Sequence, residues 1–76
     1  MQPMKPSAIR EIDTPTLLEQ IESKREELFR LRLSWHANTL EDPNQMNIIR
    51  KDIARMLTVL RERELAASYL QGESNA

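Results

Sequence analysis

The 76 residues are 39% hydrophobic and 30% charged, with one glycine, one histidine and no cysteine, so the chain can bury one small core and cannot form disulfides or thiolate metal sites. A lone histidine builds no zinc site, and no run of about 18 apolar residues or signal-peptide core occurs, so no metal, no membrane segment and a cytoplasmic location are expected. The formal net charge of −1 leaves contacts with polyanions to local patches rather than to the overall charge.

Residues 1–6, with Pro3 and Pro6, read as irregular, and Ser7 can cap a short helical turn ending near Ile12. The stretch "DTP" offers Asp13 or Thr14 as a new N-cap, with Pro15 in the first turn where its missing N–H costs nothing. From there no Gly or Pro interrupts a helix over about 14–35, roughly 30 Å long. Leu17, Ile21, Leu28, Leu31 and Trp35 share one stripe of it, with Lys24 as a polar intruder. Trp35 is expected to seal the loop end, Phe29 to pack against Leu33 and the partner helix, and His36 to favour the C-terminal dipole.

In "HANTLEDP", Asn38 best tolerates a left-handed C-cap and Pro43 can open the next helix. Met46, Ile49, Ile53, Met56 and Leu60 then repeat at spacings of three and four, predicting a second helix over about 44–67. Two amphipathic helices joined by a short loop bury their stripes only by folding back on each other. The expected fold is therefore all-α, an antiparallel two-helix hairpin with a short N-terminal helical turn. It forms one domain over 7–67 with a flexible tail at 68–76.

Charge is uneven along this hairpin. Residues 1–43 carry six bases against eight acids, whereas residues 44–64 carry five bases against three acids. On the second helix Arg50 and Arg61 flank one side of a strip containing Ala54 and Thr58, and Lys51 and Arg55 flank the other. Small side chains admit a phosphate backbone closely while the flanking bases reach its phosphates. On the first helix Arg25 and Arg32 lie between the core stripe and an apolar patch of Leu18, Phe29 and Leu33, with Glu19, Glu22, Glu26 and Glu27 opposite. RNA-phosphate candidates are thus Arg25, Arg32, Arg50, Lys51, Arg55 and Arg61; protein-contact candidates are Leu18, Phe29, Leu33 and Trp35. Charged residues on long helices also commonly form no more than a solvated face.

No Ser/His/Asp set, Gly-rich phosphate loop or metal-spaced cluster gives catalysis a footing, and neither an enzyme nor a cofactor is expected. The stretch "IREIDTPTLLEQIESKREEL" resembles the first helix of the all-helical chorismate mutases, but over about 20 residues and without a third site-forming helix. A coiled-coil adaptor docking on another protein's helices is a further reading. A broader resemblance spans residues 5–65. "KREELFRLRL", "HANTL" and "IIRKDIARMLTVLREREL" resemble the bacterial large-subunit ribosomal protein L-twenty-nine family. Glu27, Leu28, Phe29, Leu31 and Arg32 match its first block, Leu40 ends the second, and Arg50, Ile53, Ala54 and Arg55 match the third.

That resemblance implies a structural constituent of the large subunit, bound to 23S ribosomal RNA near the peptide exit tunnel. It further implies protein L-twenty-three as a neighbour, with trigger factor and the signal recognition particle docking nearby. The chain departs from the pattern where Asn38 replaces a loop glycine and where Asn44, Gln45 and Asn47 stand in place of bases. Fewer bases imply about four phosphate contacts and a log–log salt slope of about −3 to −4.

Overall fold

The computed structural model describes residues 4–39 and 42–74. Three helices follow in order, α1 (Pro6–Arg10), α2 (Thr14–His36) and α3 (Asn44–Ser74), and no strand occurs among the described residues. The expected helical hairpin is present, and the molecule is long and narrow, 57 × 21 × 17 Å.

In α1 the cap is not Ser7. Lys5, in extended backbone, is the N-cap, and Pro6 occupies the first helical position with its ring pre-set for the helix. The Ala8 and Ile9 amides donate to the Lys5 carbonyl, so Ser7 lies inside the turn. Asp13 caps α2 from extended backbone, although its side chain closes no cap hydrogen bond. The other end of α2 is a Schellman closure around Asn38, which has φ 59°. There the Thr39 N–H donates to the Ser34 carbonyl at 2.9 Å and the Asn38 N–H to the Trp35 carbonyl at 3.1 Å. Leu40, assigned to the loop block, lies outside the described residues. Before α3, Asp42 Oδ1 accepts the Asn44 N–H at 3.0 Å, satisfying one of the free donors of the first turn.

α3 does not stop near 67. It runs to Ser74, because Leu65, Ala66, Ala67 and Leu70 are strong helix formers and no breaker intervenes before Gly72. The part of the expected tail at 68–74 is therefore helical. Arg63 lies against Thr14, the first residue of α2, so the last turns of α3 project past the hairpin, with Leu65 and Tyr69 exposed.

The core has two parts. Leu28, Ile49 and Ile53, with Leu31 and Met46 against them, fill the loop half of the α2–α3 seam. Ile9, Leu17, Ile21, Met56 and Val59 form the other half, joined by Met4, Ile12 and Leu60. Lys24 interrupts the α2 stripe between them, its Nζ 3.8 Å from Glu27 Oε2. Ile9 and Val59 were not in the expected stripes. They are buried because α1 packs along α3 and covers a second seam of it. Two expectations fail at the other end. Trp35 is 52% exposed and Phe29 61% exposed, since the α2–α3 seam is already filled by Leu28, Leu31 and Met46.

Candidate nucleic-acid interface

α3 presents two seams. Met46, Ile49, Ile53, Met56 and Leu60 face α2, while Ile49, Asp52, Met56, Val59 and Arg63 continue the same three–four spacing towards α1. α1 runs alongside α3 in the same direction, with Met4 at Asp52 and Arg10 at Glu62. It therefore occupies one flank of α3, and the opposite flank stays open.

Helical phase fixes which bases share that open flank. Arg50 and Arg61 lie roughly 90° from the α2 seam, on the side turned away from α1. α2 runs antiparallel, so Arg25 and Arg32, 40–60° around their own helix by the same geometry, turn to that same side. Leu18 and Phe29 accompany them. The hairpin thus brings Arg25, Arg32, Arg50 and Arg61 together across two helices. Among the described residues Arg32, Arg50, Lys51 and Arg61 are exposed and have no ion-pair partner. Arg25 Nη1 stands 3.6 Å from Glu22 Oε1, an exposed pair one turn apart that water screens strongly.

Arg55 and the small-residue strip sit differently from expectation. Arg55 is half-buried, with Nη1 3.4 Å from Asp52 Oδ1. Ala54 and Thr58 line a shallow hollow together with Pro6, Arg10, Arg55, Val59 and Glu62. The Thr58 hydroxyl is turned back onto the Ala54 carbonyl at 2.8 Å. α1 therefore walls one edge of the strip, and Arg55 belongs to that edge rather than to the open flank. Arg10, 3.8 Å from Glu62, adds a base there.

Two charged residues have roles that the one-helix reading missed. Asp52 is buried at 1% exposure. Arg63 donates to the Ile12 carbonyl at 2.6 Å, to the Arg10 carbonyl at 3.2 Å and to Thr14 Oγ1 at 3.0 Å, closing the α1–α2 corner. The signal for both was the unbroken 49-52-56-59-63 series, in which polar residues take seam positions. At the same corner the Thr16 side chain, foremost, with the Thr16 and Asp13 amides and the charge of Arg63, holds the Asp13 carboxyl below its ordinary value. No cap bond of normal geometry forms, so the lowering reflects loose, solvent-exposed contacts.

Comparison with known proteins shows the family. The family model described as Ribosomal L29 protein matches residues 7–63. The chain belongs to the ribosomal L29 family. Similar relatives, each named large ribosomal subunit protein uL29, come from several bacteria. That of Geobacillus stearothermophilus is 46% identical over 65 residues, covering 86% of this chain and 98% of the relative. That of Staphylococcus saprophyticus is 43% identical over 72 residues, 95% and 99%. That of Carboxydothermus hydrogenoformans is 40% identical over 68 residues, 90% and 99%. L29 membership makes the chain a structural protein of the large ribosomal subunit and not an enzyme, which removes the chorismate-mutase likeness and favours the ribosomal reading over the adaptor. The match ends at 63, so the projecting end of α3 lies beyond the family model.

Proposed function

We propose that this L29-family chain binds 23S ribosomal RNA near the peptide exit tunnel through the flank of the hairpin turned away from α1. The observation that carries this reading is the convergence of Arg25, Arg32, Arg50 and Arg61 from two antiparallel helices onto one side, three of them without an ion-pair partner among the described residues. Unpaired guanidiniums are available to phosphate oxygens in bidentate geometry. Lys51, exposed across the Ala54–Thr58 strip, is a peripheral contact of the same surface, whereas Arg55 stays on the α1 edge with Asp52. The chain acts as one RNA-bound unit in the cytoplasm.

Leu18, Phe29, Leu33 and Trp35, all about half exposed or more, supply an apolar surface on α2 for a protein neighbour, for which L-twenty-three is the expectation. Trigger factor and the signal recognition particle are the expected visitors to the same region. The test is reconstitution with purified 23S RNA. The pair Arg50→Glu with Arg61→Glu is expected to weaken binding at least tenfold while far-ultraviolet dichroism stays unchanged. Undiminished binding by that well-folded variant would remove the assigned face.

A further inference from the structure

α3 outruns the hairpin. Arg63 stands level with Thr14, where α2 begins, so residues 64–74 continue about 16 Å past that point. The family model stops at 63, and neither the α2–α3 seam nor the RNA flank accounts for what lies beyond. The large side chains there follow a line. Leu57, Arg61, Leu65 and Tyr69 succeed one another at steps of four and form one ridge along α3. Past Arg61 the ridge leaves the hairpin, with Leu65 59% and Tyr69, the one tyrosine of the chain, 70% exposed. Ala66 and Ser68, both small, stand in the rows on either side. Helix propensity keeps the segment helical but does not require its bulk to fall on one line. A ridge of large side chains between small ones fits the groove of a second helix, and tyrosine is among the residues that most often anchor interfaces.

Charge selects the occupant. From Glu64 onward the chain carries two acids, Glu64 and Glu73, and no base, and the carbonyl end of α3 adds the negative pole of the helix dipole. A phosphate backbone is repelled there, and a second copy of the chain would bring the same acids and the same pole. A protein helix rimmed by Lys or Arg is attracted. We propose that Leu65 and Tyr69 dock an amphipathic, basic helix of a neighbouring large-subunit protein, the RNA flank giving way to this ridge at Arg61. Family membership supplies the setting, and the proposal does not rest on which face of the hairpin binds RNA.

The test places a photoreactive benzophenone side chain at position 69 of the full chain, assembled into large subunits in cells. Purified subunits are irradiated and the product is sequenced by mass spectrometry. The expected product joins position 69 to a helix of another subunit protein, with Lys or Arg flanking the joined residue. Glu64 and Leu65 are exposed, and glutamine keeps the helix nearly as well as leucine. Leu65→Gln and Glu64→Lys are therefore each expected to leave far-ultraviolet dichroism and affinity for 23S RNA unchanged, while lowering the crosslink yield about fivefold or more. RNA affinity reads the RNA flank and the crosslink reads the ridge, so the failure of one is distinguishable from the failure of the other. A product with RNA, with a second copy or with a protein segment lacking bases overturns the proposal. So does the absence of any product, or a yield indifferent to either substitution.

Discussion

At the scale of single residues, the corner between α1 and α2 depends on side chains that sit far apart in sequence. Arg63 supplies three hydrogen bonds to Arg10, Ile12 and Thr14, two of them to carbonyls that α1 and the linker leave without a helical partner. Arg63→Ala is expected to cost about 2 kcal/mol, the range for hydrogen bonds from a charged donor, with α1 released before the α2–α3 seam in urea unfolding followed by hydrogen exchange. Asp13 has a folded pKa below its ordinary value of 3.8. Its contribution is thus fully present above about pH 4 and is lost as pH falls through the lowered folded value. Asn caps a helix as well as Asp does. The melting difference between wild type and Asp13→Asn is therefore expected to be constant from pH 5 to 7 and to shrink below pH 4; a difference independent of pH would show that the carboxylate charge contributes nothing.

At the scale of elements, each boundary has a local cause. Pro6 opens α1, and the left-handed Asn38 closes α2 through the Ser34 and Trp35 carbonyls. Alanine at 38 would meet the left-handed penalty of about 1–2 kcal/mol that glycine escapes. Asn38→Ala is expected to lose about 1 kcal/mol in urea denaturation and Asn38→Gly to lose nothing. The boundary at the end of α3 was misjudged at 67 because hydrophobic periodicity fades after Leu60. Helix formation there rests on the intrinsic preference of Leu, Ala and Tyr side chains continuing an existing helix, which needs no new nucleus and no buried stripe.

At the scale of the whole molecule, α1 decides how the charges are used. Resting against the Asp52–Val59–Arg63 seam, it takes Arg55 out of the open arc and leaves Arg50 and Arg61 to share a side with Arg25 and Arg32. With about four phosphate contacts, the logarithm of the RNA association constant should fall with the logarithm of salt concentration at a slope of about −3 to −4. Neutralising one participant, as in Arg61→Gln, should lower that slope by about one, and Arg10→Gln, on the far side beside Glu62, should leave it unchanged. A slope change for Arg10→Gln equal to that for Arg61→Gln would place RNA on the α1 side instead.

The hairpin itself was legible in the sequence. Spacings of four and seven over Leu17–Ile21–Leu28 and of four and three over Ile49–Ile53–Met56, separated by Asn38 and Pro43, admit few structures other than two antiparallel helices, because each stripe needs a partner within reach of a short loop. The basic character of the second half was legible too, though not the grouping of its arginines with those of the first helix. Which bases share a face depends on the relative rotation of two helices and on where α1 docks, and a helical wheel drawn for one helix contains neither. The burial of Asp52 and Ile9 and the clamp made by Arg63 follow from that docking. They are long-range consequences of filling a second seam on α3, which only the tertiary structure decided.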